Sequence, residues 1–218
     1  MLLPVPIPKT CSEVFQQGIN KSGIYRILPN GLESFEVFCD METDGGGWTM
    51  LQRRHDNKTH FNKDWNSYEI GFGDLNRNFW LGNNRIHSLT VSDQMVLRFD
   101  LEDFEGKTAF AEYQNVTVLA VENNFKLFFG EYRGTAGNSL RYHYGMNFAT
   151  IDRDHNNCST NYKGGWWYNF CHEVNINGIY FQKGEHLKKS TGISWYDWKN
   201  AHESLKTTEM KIRPKTHR

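Results

Sequence analysis

The sequence predicts an α+β fold with an antiparallel central sheet, short helices and a loop-rich lobe. Short segments that alternate apolar and polar residues are separated by turn residues, as expected for antiparallel strands. The chain of 218 residues contains 19 glycines, which suit many turns. Residues 134–193 show little regular pattern, and long ordered loops usually carry function. We find no internal repeat, heptad run or low-complexity tract.

The first quarter of the chain predicts a helix, a hairpin and a further strand. Ser12 is the expected N-cap of the helix, because its hydroxyl can accept a hydrogen bond from a backbone N–H of the first turn. A Gly-Gly-Gly turn precedes the last strand, where the backbone needs conformations that glycine adopts cheaply. The segments are, in order, a helix at 11–17, strands at 23–27 and 35–39 around a turn at 29–31, and a strand at 48–53.

The remainder predicts one more helix and an antiparallel group of strands. Residues 62–80 mix helical and loop patterns, and a Gly-Phe-Gly sequence interrupts them. The other predicted segments are a helix at 84–89, strands at 96–101 and 108–113 that pair with each other, strands at 116–121 and 125–132, and a closing strand at 204–212.

The charge balance argues against a nucleic-acid partner. The chain carries 25 Lys and Arg against 25 Asp and Glu, so its formal net charge is zero. Neither a basic stripe nor a groove-reading motif is present. No segment has the length of a signal peptide or of a membrane span, so we expect a mature or excised module without a membrane span.

The four cysteines predict two disulfides and a secreted, extracellular protein. Four cysteines allow three connectivities, of which the sequential pairing of Cys11 with Cys39 and of Cys158 with Cys171 is the simplest. A zinc site is the rival interpretation, but no close Cys-x-x-Cys spacing supports it.

Acceptor sequons for N-glycosylation also favour secretion. They occur at Asn20, Asn57 and Asn115, and a fourth at Asn157 includes a half-cystine that can prevent its modification.

The segment from Asp152 to Tyr180 carries the strongest functional signal. It combines two aspartates one residue apart, a cysteine pair, Trp166 and Trp167, and His172. Carboxylates followed by asparagines offer the oxygen ligands that calcium prefers. The alternative is an Asp-Arg-Asp surface turn that caps its own backbone. A stiff, aromatic loop predicts a recognition surface, although the tryptophans fit core packing better than a sugar platform, and His172 also suits an ordinary loop histidine.

An enzyme is not expected. The histidines are scattered, no serine lies in a nucleophile elbow, and no His-Glu-x-x-His pattern is present.

An ordered set of motifs spans almost the whole chain, from Cys11 to Pro214. They are Val37-Phe-Cys-Asp-Met41, Gly45-Gly-Gly-Trp-Thr49, Gln52-Arg-Arg54, Gly71-Phe-Gly73, Phe79-Trp-Leu-Gly82, Gly134-Thr-Ala-Gly137, Gly165-Trp-Trp-Tyr168, Cys171-His172, Asn177-Gly178 and Glu209-Met-Lys-Ile-Arg-Pro214. In this set the chain resembles the fibrinogen-like domains of fibrinogen chains, ficolins, tachylectins, tenascins and angiopoietins.

The resemblance implies a single fibrinogen-like domain, 1–218, with three lobes. They are an N-terminal disulfide lobe at 1–48, a central sheet lobe at 49–133 plus 204–214, and a calcium and pocket lobe at 134–203. The resemblance also implies the sequential disulfide pairing and a homo-oligomer built by an upstream segment.

For the metal, the resemblance implies a calcium ion held by Asp152 and Asp154, with Asn156 as the next ligand through its backbone oxygen. The loop from Asp154 to Cys158 is shorter than in most of the family, which puts further carbonyl ligands in doubt.

For the ligand, the resemblance implies a small acetyl pocket beside the second disulfide. Tyr162 and His172 match two of its walls, and the bond between Phe170 and Cys171 matches a cis peptide that shapes it. A third aromatic wall is missing, because residues 184–192 contain no aromatic residue and Lys188 or Lys189 falls there. Tyr168 is a candidate to replace that ring in part.

Two functions follow as expectations. The first is a secreted recognition lectin that binds acetylated or anionic extracellular glycans in a calcium-linked manner, as in innate-immune recognition. The alternative is a protein-binding adhesion or receptor-ligand module of the tenascin or angiopoietin kind, which the altered pocket wall and the short calcium loop favour.

Overall fold

The structure, a computed structural model, describes residues 6–30, 33–182 and 190–217. Within these ranges five short α-helices surround an antiparallel sheet. The helices are α1 (Cys11–Gln16), α2 (Trp65–Ile70), α3 (Asn83–Val91), α4 (Cys158–Tyr162) and α5 (Tyr196–Lys199). The strands are β1 (Gly23–Ile27), β2 (Phe35–Asp40), β3 (Trp48–Arg54), β4 (Phe72–Gly73), β5 (Phe79–Trp80), β6 (Met95–Glu102), β7 (Thr108–Val118), β8 (Leu127–Phe128), β9 (Tyr132–Gly134) and β10 (Thr207–Pro214).

The strand order is β1-β2-β3-β10-β6-β7-β8, so the last strand in the sequence lies in the middle of the sheet. Strand β10 pairs with β3 on one side and with β6 on the other, and both pairings are antiparallel. The short strand β5 extends the other edge of β3, and β9 pairs with β7. The predicted α+β class with an antiparallel central sheet is confirmed.

The predicted cap of the first helix is wrong. Thr10 caps α1, because its hydroxyl accepts a hydrogen bond from the Glu13 backbone N–H at 3.3 Å. Ser12 lies inside the helix, and its hydroxyl is 2.7 Å from Nδ1 of His217.

Two predicted strands also differ from the structure. The segment predicted at 116–121 is not a separate strand, because β7 continues to Val118. Asn115 has φ +52°, and the pairing with β6 shifts register nearby, so a bulge bends the strand without ending it. The segment predicted at 125–132 contributes only β8 and the first residue of β9.

Large aromatic side chains form much of the core, as the 15% aromatic content indicates. Trp80, Trp166, Trp167 and Trp195 are 0–1% exposed. Trp80 packs edge-to-face against Trp166 and lies 6.0 Å from Trp167 between ring centroids. These rings join the sheet to the loop-rich region, and the core interpretation of the tryptophan pair is therefore correct.

One face of the sheet carries a network of buried charges centred on Lys211. Its Nζ atom lies 2.7–2.8 Å from carboxylate oxygens of Asp40, Asp100 and Glu209, and its side chain is fully buried. Burial lowers the pKa of Lys211, but the three carboxylates outweigh that effect and the net pKa lies above the ordinary value.

No helix in the described ranges has both the length and the apolar character to cross a bilayer. The division into lobes at 1–48, at 49–133 plus 204–214, and at 134–203 stays a prediction.

Candidate functional site

The loop between Cys158 and Cys171 is closed by a disulfide, and a second disulfide joins Cys11 to Cys39. This is the sequential pairing. Helix α4 begins at Cys158 and ends at Tyr162, so one short helix carries both a half-cystine and a candidate pocket residue. The peptide bond between Phe170 and Cys171 is cis.

The Gly-Gly pair permits a close approach between this loop and the core. A Cβ atom on Gly164 would lie 2.3 Å from the Asn177 carbonyl oxygen, and one on Gly165 would lie 2.6 Å from the Tyr68 ring. The Tyr68 hydroxyl accepts a hydrogen bond from the Gly165 backbone N–H and donates one to the Phe61 carbonyl. A larger residue at either glycine would push the loop away from this anchor.

Three rings converge beside the second disulfide; we call Tyr162, Tyr168 and His172 the ring cluster. The rings of Tyr162 and His172 meet edge-to-face with 4.4 Å between centroids. The Tyr168 ring lies 6.5 Å from Tyr162 and 6.4 Å from His172. The two tyrosines and the histidine that the sequence nominated therefore come together.

Tyr168 is the fixed member of the ring cluster. It is 6% exposed, and its hydroxyl lies 3.1 Å from the Gly164 carbonyl and 2.8 Å from Oδ1 of Asn175. The side-chain amide of Asn175 donates to the carbonyls of Tyr162 and Gly192. One buried asparagine thus ties the cluster to two neighbouring segments.

His143 supports the cluster from behind. Its Nδ1 donates to the Trp167 carbonyl at 2.7 Å, and its Nε2 accepts from the backbone N–H groups of Glu173 and Val174. Burial lowers the pKa of His143 to about 3, so the ring is neutral and keeps both roles at neutral pH. Neither His143 nor Asn175 has a recognisable sequence signal, because both act on backbone groups that only the fold brings near.

His172 is also neutral. Burial lowers its pKa to about 4, while a hydrogen bond between Nε2 and the Ser190 carbonyl at 3.1 Å acts in the opposite direction. The ring cluster therefore presents an uncharged imidazole at pH 7.

Of the other residues predicted to line the pocket, those that the structure describes do not join the ring cluster. Phe170 is 85% exposed, so its ring lies in solvent and not among the other rings. Cys171 is half-buried and packs against the core. Lys188 and Lys189 lie outside the described residues.

Asp152 and Asp154 both accept hydrogen bonds from the protein itself. Oδ1 of Asp152 accepts from the backbone N–H of Trp65, the first residue of α2, at 2.8 Å and from the Thr150 hydroxyl at 2.7 Å. The Asp154 oxygens accept from the backbone N–H groups of Cys158 and Thr160 at the start of α4. Asp154 thus binds backbone N–H groups of its own loop, as the surface-turn interpretation expects, whereas Asp152 binds a backbone N–H of a helix that is distant in sequence.

The same residues still suit a hard cation. Within the described residues, Oδ2 of Asp152 accepts no hydrogen bond, and each Asp154 oxygen accepts only one, so lone pairs remain. Asp152, Asp154 and Asn156 line one cleft of about 560 Å³. Its other lining includes Tyr168, so the cleft reaches a member of the ring cluster. The donor set is oxygen-only, as calcium requires.

The sequon asparagines are all exposed. Asn20, Asn57, Asn115 and Asn157 each lie at the surface. Their accessibility permits modification, and glycosylation stays a prediction.

A sheet with a disulfide-closed loop and a convergent ring cluster defines a binding module, and comparisons with known proteins identify its family. The family model of the C-terminal globular domain of fibrinogen beta and gamma chains matches residues 7–215. The chain therefore belongs to the fibrinogen C-terminal domain family.

Similar proteins include a lectin, an angiopoietin-related protein and a tenascin. Techylectin-5A of Tachypleus tridentatus is 46% identical over 96% of this chain and 75% of its own length. Mouse angiopoietin-related protein 7 is 46% identical over 94% of this chain and 63% of its length. Human tenascin-R is 44% identical over 98% of this chain, which spans only 16% of that protein.

A solved structure gives the same fold. The fibrinogen-like globe domain of human ANGPTL2 superposes with a TM-score of 0.93 at 36% identity, covering 95% of this chain and 99% of that one. Membership of the fibrinogen C-terminal domain family supports a recognition module rather than an enzyme. Because the chain spans less than two thirds of several relatives, a whole protein's partners are matters for proposal.

Proposed function

We propose that this domain binds acetylated glycans at the ring cluster, with calcium held at Asp152 and Asp154. The convergence of Tyr162, Tyr168 and His172 is the observation that carries the proposal. An acetyl methyl group suits aromatic faces, and few polar groups are needed to orient so small a ligand. A relative that is named as a lectin supports carbohydrate binding in general.

The charge state of the ring cluster favours a neutral ligand there. His172 is uncharged at pH 7 because burial lowers its pKa to about 4. The Tyr168 hydroxyl is already bonded to protein groups, and burial raises its pKa well above the ordinary value. The cluster therefore offers apolar ring surface without a net charge, which suits an acetyl group better than a carboxylate.

Calcium would link the cluster to the rest of the loop. Asp154 holds the start of α4, and the same helix carries Tyr162 at its end. A calcium ion at Asp152, Asp154 and Asn156 would supply a positive charge that holds both carboxylates in place. Because α4 connects Asp154 to Tyr162, fixing the carboxylates would also fix the position of Tyr162 in the ring cluster.

A glycan array tests the proposal, run with millimolar calcium and with a chelator. We expect calcium-dependent binding to N-acetylated glycans that is lost in Tyr162→Ala and in His172→Ala. Tyr25→Ala is the matched control, because Tyr25 lies on β1, outside the ring cluster, and its hydroxyl donates to the Lys21 carbonyl. Binding to acetylated glycans that survives both cluster variants would contradict the assignment.

Protein binding is the second candidate, and the exposed Phe170 favours it. An aromatic side chain that is 85% exposed suits an anchor in a protein interface. A blank glycan array, together with a protein ligand whose affinity falls in Phe170→Ser, would favour this candidate over the first.

We also propose secretion and assembly into a homo-oligomer. Two disulfides suit an oxidising compartment. A single small pocket binds weakly, whereas linked copies gain about 10²–10⁴ in avidity without new contacts. An upstream assembly segment would supply that linkage.

A further inference from the structure

Arg54 is a buried cation at the end of β3. Its side chain is 1% exposed and lies on the Phe61 ring, with 4.0 Å between the guanidinium carbon and the ring centroid. One terminal nitrogen donates to the carbonyls of Ile176 and Gly178. Its Nε atom is buried and has no hydrogen-bond partner among the described residues.

No described carboxylate forms an ion pair with Arg54. Burial lowers its pKa to about 10, while Tyr68, Tyr180 and Asp56 act weakly in the opposite direction. Asp56 is engaged elsewhere, since its oxygens contact the Lys58 backbone N–H, the Asn78 amide and the His55 ring. A buried charge without a counter-charge is costly, and an external anion would relieve that cost.

A surface cleft of about 260 Å³ lies over this cation. Lys163 and His60 line it together with Arg54, and Asn57 and Asn62 add amide groups. No acidic residue is among its lining residues in the described part of the chain. Lys163 forms no ion pair with any described residue. The cleft thus combines cationic groups and hydrogen-bond donors without a competing carboxylate.

We propose that this cleft binds an oxyanion, either the sulfate ester or the carboxylate of a saccharide. Lys163 contacts the anion directly, and Arg54 contributes its positive charge from the floor of the cleft. Lys163 immediately follows Tyr162, so the cleft and the ring cluster have neighbouring residues in the chain. The volume suits a substituent or a single sugar, since pockets for larger ligands begin near 300 Å³. The cleft does not depend on acetyl binding at the ring cluster.

Titration calorimetry at low ionic strength tests the proposal with inorganic sulfate, N-acetylglucosamine 6-sulfate, glucuronic acid and N-acetylglucosamine. The protein is produced in the bacterial periplasm, so that the Asn57 sequon in the cleft is not glycosylated. We expect sulfate binding that weakens about tenfold in Lys163→Gln, because one charge-assisted hydrogen bond is lost. Lys21→Gln is the control, since Lys21 is exposed in the N-terminal region.

The saccharides identify the source of the anion. If wild type binds N-acetylglucosamine 6-sulfate more tightly than N-acetylglucosamine, and Lys163→Gln removes this difference in affinity, the anion is a sulfate ester. If wild type binds glucuronic acid and Lys163→Gln weakens that binding, the anion is a carboxylate. Tyr162→Ala should leave the affinity for inorganic sulfate unchanged. Failure of acetyl binding at the ring cluster can therefore be distinguished from failure of anion binding at the cleft. Equal sulfate affinity of wild type, Lys163→Gln and Lys163→Glu would overturn the proposal, as would absence of sulfate binding to wild type.

Discussion

Asp152 and Asp154 have a structural role and a proposed metal-binding role, which substitutions can separate. Asp152 accepts the backbone N–H that begins α2, and Asp154 accepts two that begin α4. An amide oxygen can accept these bonds nearly as well as a carboxylate oxygen, but it lacks the negative charge that strengthens calcium binding. The capping role and the metal role therefore respond differently to Asn and to Ala.

Asp152→Asn should abolish thermal stabilisation by calcium while leaving the melting temperature in chelator close to that of wild type. Asp152→Ala should also lose the calcium effect and should lower stability in chelator by about 1 kcal/mol, because the hydrogen bonds to the Trp65 N–H and the Thr150 hydroxyl are lost. Thermal unfolding with and without millimolar calcium measures both effects. A wild-type protein that gains no stability from calcium would refute the metal assignment.

Strand β10 shows how one element joins distant parts of the chain. Its burial pattern alternates except at residues 210–212, which are buried in succession, so both faces of the strand are covered there. Lys211 on this strand is the only described cation that forms an ion pair with Asp40, which belongs to β2. Burial raises the pKa of Asp40, but the charge and hydrogen bond of Lys211 outweigh it and the net pKa lies well below the ordinary value.

Lys211→Met should lower the free energy of unfolding at pH 7 by about 3–5 kcal/mol, because Asp40 is left buried without its cation. Asp40 contributes its full stabilisation to the wild type above its ordinary pKa of 3.8, and this contribution decreases as the pH falls from there towards the lower pKa of the folded state. The difference between variant and wild type should therefore shrink at pH 3.5.

Urea unfolding at the two pH values measures this difference. Lys206→Met is the control, because the pair between Lys206 and Glu102 is partly exposed and screened by solvent, so its loss should change stability little at either pH. An equal loss at pH 7 and pH 3.5 would argue against the charge explanation.

At the scale of elements, sequence reasoning succeeded where the signal is local. Alternation predicted β1, β2, β3 and β6 within about one residue, and turn residues marked the hairpin. The position of β10 between β3 and β6 was not predictable, because alternation identifies a strand but not its partners. Residue type nominated the ring cluster and the aspartates, whereas His143, Asn175 and Arg54 act through backbone groups or a buried environment that only the fold creates.

At the scale of the whole molecule, the two disulfides lie in different regions and should have separable effects. Cys11–Cys39 joins α1 to β2, whereas Cys158–Cys171 closes the loop that carries the ring cluster. Loop closure of this size stabilises by about 3 kcal/mol in the chain-entropy description. Similar losses of stability can therefore accompany very different losses of binding.

The double variant Cys158→Ser with Cys171→Ser should lose glycan binding while still folding at low temperature. Cys11→Ser with Cys39→Ser should lose a comparable amount of stability but keep its binding. Denaturant unfolding and the glycan array, applied to both variants, give the comparison. Retained binding without the second disulfide would show that the ring cluster does not need the bridge.

The central place of β10 has a consequence for synthesis. During synthesis β3 and β6 are made long before β10, so each has an unpaired edge that β10 covers only later. Unpaired edges invite contact with other chains. Correct folding of this domain therefore depends on protecting the incomplete sheet from other chains until β10 has been synthesised.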